Sequence, residues 1–129
     1  MEKNIKPMTR QHYNLILDQF HDLDDHARFG LQLAGEFGLR AAEITHLGVK
    51  DIDFKLMLLN INSIGKSHQI QMTYNQMIWL LKEITRRGLT KNDHLVPLSA
   101  TELQKHLYRV MEKARIDPEI YGYGAFAAL

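Results

Sequence analysis

Apolar residues recur along this chain at helical spacing in most segments, and the spacing shortens in one segment near the middle. Tyr13, Ile16, Leu17 and Phe20 follow at i, i+3, i+4 and i+7, which lines one side of an α-helix, and Thr9 ahead of them is a residue type that caps helix starts. The acidic run Asp22-Leu23-Asp24-Asp25 interrupts that helix and opens a second, which points Ala27, Leu31, Ala34 and Phe37 inward and stops at Gly38. A short third helix is predicted from about residue 40 to residue 47, closed by Gly48. Residues 56–72 change period. Two runs suited to strands flank Ser63-Ile64-Gly65-Lys66-Ser67, and Gly65 supplies the backbone freedom of a tight turn, so a β-hairpin with Lys66 at or just after its tip is predicted.

Thr73 then caps a helix with Met77, Leu80, Leu81 and Ile84 as its buried stripe. Residues 86–93 read as a polar loop and residues 94–98 as a short strand or extended link. Ser99 caps a last helix carrying Leu103, Leu107, Val110, Met111 and Ala114 on one face, ended by Ile116-Asp117-Pro118. Helices, hairpin, helices, with no βαβ alternation, predict an α+β, mainly helical domain in which helices flank a small β-hairpin or antiparallel sheet. Residues 1–8 read as a tail or linker ending near Pro7, and residues 9–129 as the domain.

Composition narrows the function. The content of 45% hydrophobic and 24% charged residues is that of an ordinary soluble globular protein. No run of ~18 apolar residues predicts a membrane span, and the first ten residues lack the apolar core of a secretory signal. With no cysteine there is no disulfide framework and no thiolate metal site, which is compatible with the cytoplasm. Net charge is only +1, so a polyanionic partner would have to be held by a local basic surface. His21 and His26 are five apart and fall on different helix faces, and the sequence has no metal-binding, nucleotide-loop or serine-nucleophile signature. No cofactor or metal is expected. The Gly65-Lys66-Ser67 run lacks the upstream glycine of a phosphate-binding loop and is followed by no βα unit, which argues against ATP.

Two features carry candidate chemistry. Arg40 and Glu43 lie three apart on one face of the short helix, so the carboxylate is placed to hold the guanidinium. Lys66 sits on a hairpin tip. An arginine fork grips a phosphate with two parallel hydrogen bonds, and a lysine serves as a movable charge or proton donor. Taken singly, each has a plain alternative: a surface salt bridge, and a solvated turn residue.

Taken together and in order, these segments resemble the catalytic domain of the tyrosine recombinases, or phage integrases. That family carries T-G-L-R-x-x-E-x-x-x-L-x-x-x-D-I-D, matched here by Gly38, Leu39, Arg40, Glu43, Leu47, Asp51, Ile52 and Asp53. A hairpin with a lysine follows, matched at Gly65-Lys66, and then a Val-Pro-Leu segment, matched at Val96-Pro97-Leu98. The resemblance runs from about residue 6 to residue 117. It implies a DNA integration or site-specific recombination protein acting on double-stranded DNA. Arg40 would be the first catalytic arginine, Glu43 its supporting residue and Lys66 the general acid for the leaving 5′-hydroxyl. Arg86, Arg87 and Lys91 would join Arg40 and Lys66 in contacting the DNA backbone.

The departures are equally specific. The family's H-x-x-R box aligns with residues 120–129, where Tyr121 stands in the place of histidine and Gly124 in the place of the second arginine. No arginine follows Arg115, and neither Tyr121 nor Tyr123 matches the nucleophile, which in the family comes after that arginine. The expectation is a recombinase-like chain, roughly the first two-thirds of the catalytic domain, that does not form a covalent 3′-phosphotyrosine alone. The alternative is a non-catalytic helical interaction module or decayed fragment, self-associating through an apolar surface that includes residues 123–129.

Overall fold

The computed structural model describes residues 8–63 and 65–117; the expectations on residues 1–7 and on Tyr121, Tyr123, Gly124 and the apolar terminus lie outside them. Five α-helices and three strands follow one another as α1 (Arg10–Leu17), α2 (Asp25–Phe37), α3 (Ala41–His46), β1 (Ile52–Asp53), β2 (Leu58–Ser63), β3 (Lys66–Gln71), α4 (Tyr74–Arg87) and α5 (Ala100–Lys113). Single 3-10 turns at Phe20–Asp22 and Val49–Asp51 join α1 to α2 and α3 to β1. This is the predicted mainly helical α+β architecture.

The helix starts are built by their caps. Thr9, Thr73 and Ser99 each accept a hydrogen bond from the backbone N–H three residues on, and His12, Gln76 and Glu102 reach back to the cap's own N–H. Helices α2 and α4 end on Gly38 and Gly88 in the left-handed conformation.

Helix α2 is buried on more than the predicted stripe. Phe29, Leu31 and Leu33 are fully buried along with Ala27 and Ala34, because α3 and α5 both pack against α2 and the ring of Phe29 meets Trp79 of α4 edge-on at 5.5 Å. Phe29, Leu31 and Leu33 each contribute roughly 1.5–3 kcal/mol by leaving water. Met8, placed in the tail by sequence, is buried in this core. On α4 the inward stripe differs from the prediction. Leu80 and Ile84 are buried as expected, but Leu81 is 44% exposed and Glu83 takes a buried place. The helix also runs on through Arg86 and Arg87, which the sequence assigned to a loop.

The sheet is antiparallel in the order β1-β2-β3, with Ile52 opposite Leu59, Asn60 opposite Gln69 and Ser63 opposite Lys66. Leu59 and Ile61 on β2 are buried, and α3 packs against this strand. The alternate positions form a polar outer face, where Gln69 donates to Asn60 at 2.8 Å and Ser67 to Asn62 at 3.0 Å. Residues 94–98 are an extended link in which His94 bridges to Gly48. No helix among the described residues is long and apolar enough to cross a membrane.

Candidate nucleic-acid interface

Arg40 stands at a corner whose backbone is fixed from both sides. Gly38 turns the chain at φ 66° and ψ 34°, and its N–H closes on the Ala34 carbonyl at 2.9 Å. A side chain costs energy at that φ, so glycine suits the turn. Leu39 is fully buried and anchors the corner. Arg40 is then the N-cap of α3 in extended conformation; its carbonyl accepts from Ile44 at 3.0 Å, and its N–H donates to Glu43 Oε1 at 2.8 Å.

Glu43 therefore supports Arg40 through the backbone, by the reach-back half of a capping box, where the sequence suggested a grip on the guanidinium. Its negative charge in the first turn also offsets the unfavourable arginine charge at a helix start. The Arg40 side chain is exposed, and among the described residues its guanidinium makes no hydrogen bond or ion pair.

Lys66 begins β3 immediately after Gly65, whose φ of 76° makes the hairpin turn. The register puts Lys66 on the same side of the hairpin as Ile61 and Ile70, the side that turns towards the helices. Lys66 is exposed, and no described residue pairs with its ammonium group. The fold thus places two unneutralised cations on neighbouring elements: Arg40 at the head of α3, and Lys66 on the hairpin whose first strand packs against α3.

Arg86 and Arg87 are spent elsewhere. Arg87 has a side chain only 5% exposed. It donates to the Asp25 carbonyl at 2.6 Å and to His26 Nδ1 at 2.8 Å, and its guanidinium lies over the Phe29 ring at 4.8 Å. Its Nε is 3.4 Å from Glu83 Oε2, an ion-pair distance that leaves this buried nitrogen without a proper hydrogen bond. Arg86 reaches Asp25 and Glu83 at 3.0 and 2.8 Å, and Arg28 reaches the same two carboxylates at 2.7 and 3.3 Å.

Hydrogen bonding by Arg28 is the chief cause that lowers the Asp25 carboxyl to about 2. Burial pushes Glu83 upward, but the hydrogen bond from Arg86 and the charge of Arg28 outweigh it, and the net shift is downward. Three arginines and two carboxylates here tie the start of α2 to the end of α4. Of the two arginines expected at the DNA backbone, Arg87 is buried in this network, and Arg86, though half exposed, is held by two carboxylates.

Lys91 is exposed on the turn between α4 and the extended link, away from this network, and lines a surface groove with Lys50 and Lys55. The sequence reading missed Lys50 and Lys55. They flank the Asp51-Ile52-Asp53 run that carried the family resemblance, and that closeness was the available signal.

No family model matches the sequence, and no match to a curated protein is significant. Solved structures do match. A lambda integrase (residues 75–356) bound to DNA superimposes with a TM-score of 0.78 at 15% identity, covering 100% of this chain and 50% of that one. The fold is tyrosine-recombinase-like. The XerA recombinase matches with a TM-score of 0.71 at 16% identity over 97% of this chain and 47% of its own, and a lambda integrase dimer bound to a COC′ core site gives 0.77 at 15% identity. At such identities the likeness is one of fold. This chain spans about half the length of these recombinase and integrase chains.

Proposed function

We propose that this chain holds the sugar-phosphate backbone of duplex DNA, as the leading part of a tyrosine-recombinase-type catalytic domain formed by residues 9–129, in a protein of DNA integration or site-specific recombination. The observation that carries the reading is the state of Arg40: a guanidinium with no described partner, exposed on a corner locked by Gly38, Leu39 and Glu43. Its planar fork suits two phosphate oxygens, and a locked backbone lowers the entropy lost on binding. Lys66 supplies a second charge from the hairpin. In the recombinase scheme it would pass a proton to the leaving 5′-hydroxyl, while Arg40 stabilises the charge that grows on the non-bridging oxygens. Glu43 is a positioning residue that acts through the Arg40 N–H.

The lambda integrase structures that share this fold are bound to DNA, which favours the same ligand here. Covalent 3′-phosphotyrosine formation by this chain alone is not expected, since Tyr121 and Gly124 stand where the family carries histidine and its second arginine. The test is fluorescence anisotropy of a labelled duplex titrated at low and moderate salt with wild type, Arg40→Ala and Lys66→Ala. Wild-type binding should weaken steeply with salt. Each variant should bind more weakly and with a shallower salt dependence, by about one unit of log-log slope for every phosphate it no longer neutralises. A folded wild-type chain that ignores duplex DNA at low salt would sink the proposal.

A further inference from the structure

Away from Arg40, three separately built turns bring three lysines to one groove. Lys50 lies on the 3-10 turn Val49–Asp51, Lys55 in the turn between β1 and β2, and Lys91 in the turn that follows α4. Each turn is fixed by an aspartate. Asp51 Oδ2 accepts from the Gly48 N–H at 2.8 Å, Asp53 Oδ1 from the Leu56 N–H at 2.9 Å, and Asp93 Oδ2 from the Thr90 N–H and hydroxyl at 2.7 and 3.0 Å. The Lys91 turn is then stitched to the Lys50 turn by two backbone bonds: Val49 N–H to the Asp93 carbonyl at 3.0 Å, and Leu95 N–H to the Leu47 carbonyl at 2.9 Å.

The result is a groove of about 520 Å³ lined by the three lysines, Asp53, Asn60 and apolar side chains including Phe54. None of the three ammonium groups forms an ion pair with a described residue, although they lie 41 residues apart in sequence at the extremes. Concentrating three solvated cations against one lining carboxylate that already serves a turn costs self-repulsion, and an anion relieves it. Lysines on turns also keep the reach to follow a bent, extended polyanion.

We infer that the Lys50–Lys55–Lys91 groove is a second seat for the phosphate backbone of duplex DNA, distinct from the Arg40 and Lys66 site and serving to set the duplex across the sheet edge at β1. This rests on the DNA-binding reading above. Asn60, in the groove, and Ser63, opposite Lys66, are three residues apart on β2 and so belong to opposite faces of the sheet, which makes the groove a seat separate from the one at Lys66. The chemistry is sequence-blind: it holds and orients the backbone without reading bases.

Amine-reactive labelling of the unaltered chain with and without a saturating duplex, read by mass spectrometry, tests it. Protection of Lys50, Lys55 and Lys91 together with Lys66, while Lys82 and Lys105 label at unchanged rates, is the expected result. Protection of Lys66 alone overturns the groove and leaves the Arg40 site standing; protection of none overturns both. In parallel, the variant Lys50→Gln/Lys55→Gln/Lys91→Gln should show a salt slope shallower by about one unit for each phosphate left without its lysine. A slope equal to wild type would overturn the groove even if Arg40→Ala binds poorly.

Discussion

At the scale of single residues, Arg40 and Arg87 show one side chain put to opposite uses. Arg87 is buried with its charge answered by Asp25 and Glu83, its other donors satisfied by a carbonyl and His26, and its flat face against Phe29. Arg40 is exposed, and its guanidinium makes no hydrogen bond or ion pair with a described residue. Removing a buried partner strands the opposing charge, whereas removing an exposed one does not. Arg87→Ala should therefore lower unfolding stability by about 2–3 kcal/mol, somewhat less than for an isolated buried pair because Arg28 and Arg86 still face Glu83. Arg86→Ala should change stability little. Urea unfolding of the two variants checks this ordering, and a larger loss for Arg86→Ala would contradict the burial argument. With folded protein, Arg87→Ala should bind duplex with the wild-type salt slope, because its guanidinium is buried among Asp25, His26 and Phe29.

Among the elements, α3 depends most on its neighbours. Six residues are too few to hold a helix in water, so α3 persists because Ala41, Ile44 and the flanking Leu39 and Leu47 are buried against α2, α5 and β2. The corner that presents Arg40 inherits its rigidity from that packing. Helices α2 and α4 are joined in a different way, by the carboxylates of Asp25 and Glu83 and the arginines around them. Both carboxyls are held below their ordinary values in the folded chain, so they bind fewer protons there than in the unfolded chain.

The stabilisation from Asp25 is thus present above its ordinary value of 3.8 and is lost as pH falls towards about 2, and Glu83 contributes in the same direction. Thermal unfolding followed from about pH 6 down to about pH 2 should show wild type losing stability through this window. Asp25→Asn should start less stable at the upper end and fall less steeply. Parallel curves for the two would mean that the clamp does not join the helices.

For the molecule as a whole, the helix order, the hairpin and its lysine, and the arginine corner were all legible in the sequence, for one physical reason. Caps such as Thr73 and Ser99, the glycine stops at Gly38 and Gly88, and the turn at Gly65 are local devices, readable from a few adjacent residues. What was not legible depends on distant neighbours. Leu81 reads as part of an apolar stripe, yet it faces water because Glu83 is drawn inward by arginines from two helices. Arg86 and Arg87 read as loop cations until α2 supplies Asp25, about sixty positions earlier. The groove of Lys50, Lys55 and Lys91 exists only because the Asp93 turn is bonded to the turn after α3.

The proposed hold of the Arg40 corner and the Lys66 hairpin tip on a DNA backbone is tested by titrating a short duplex into isotope-labelled chain and following backbone amide shifts. The prediction is a graded, salt-sensitive shift concentrated at residues 38–43 and 65–67, with the exposed residues Thr101, Glu102 and Lys105 of α5 unmoved. Shifts confined to α5, or a spectrum indifferent to the duplex at low salt, would contradict it.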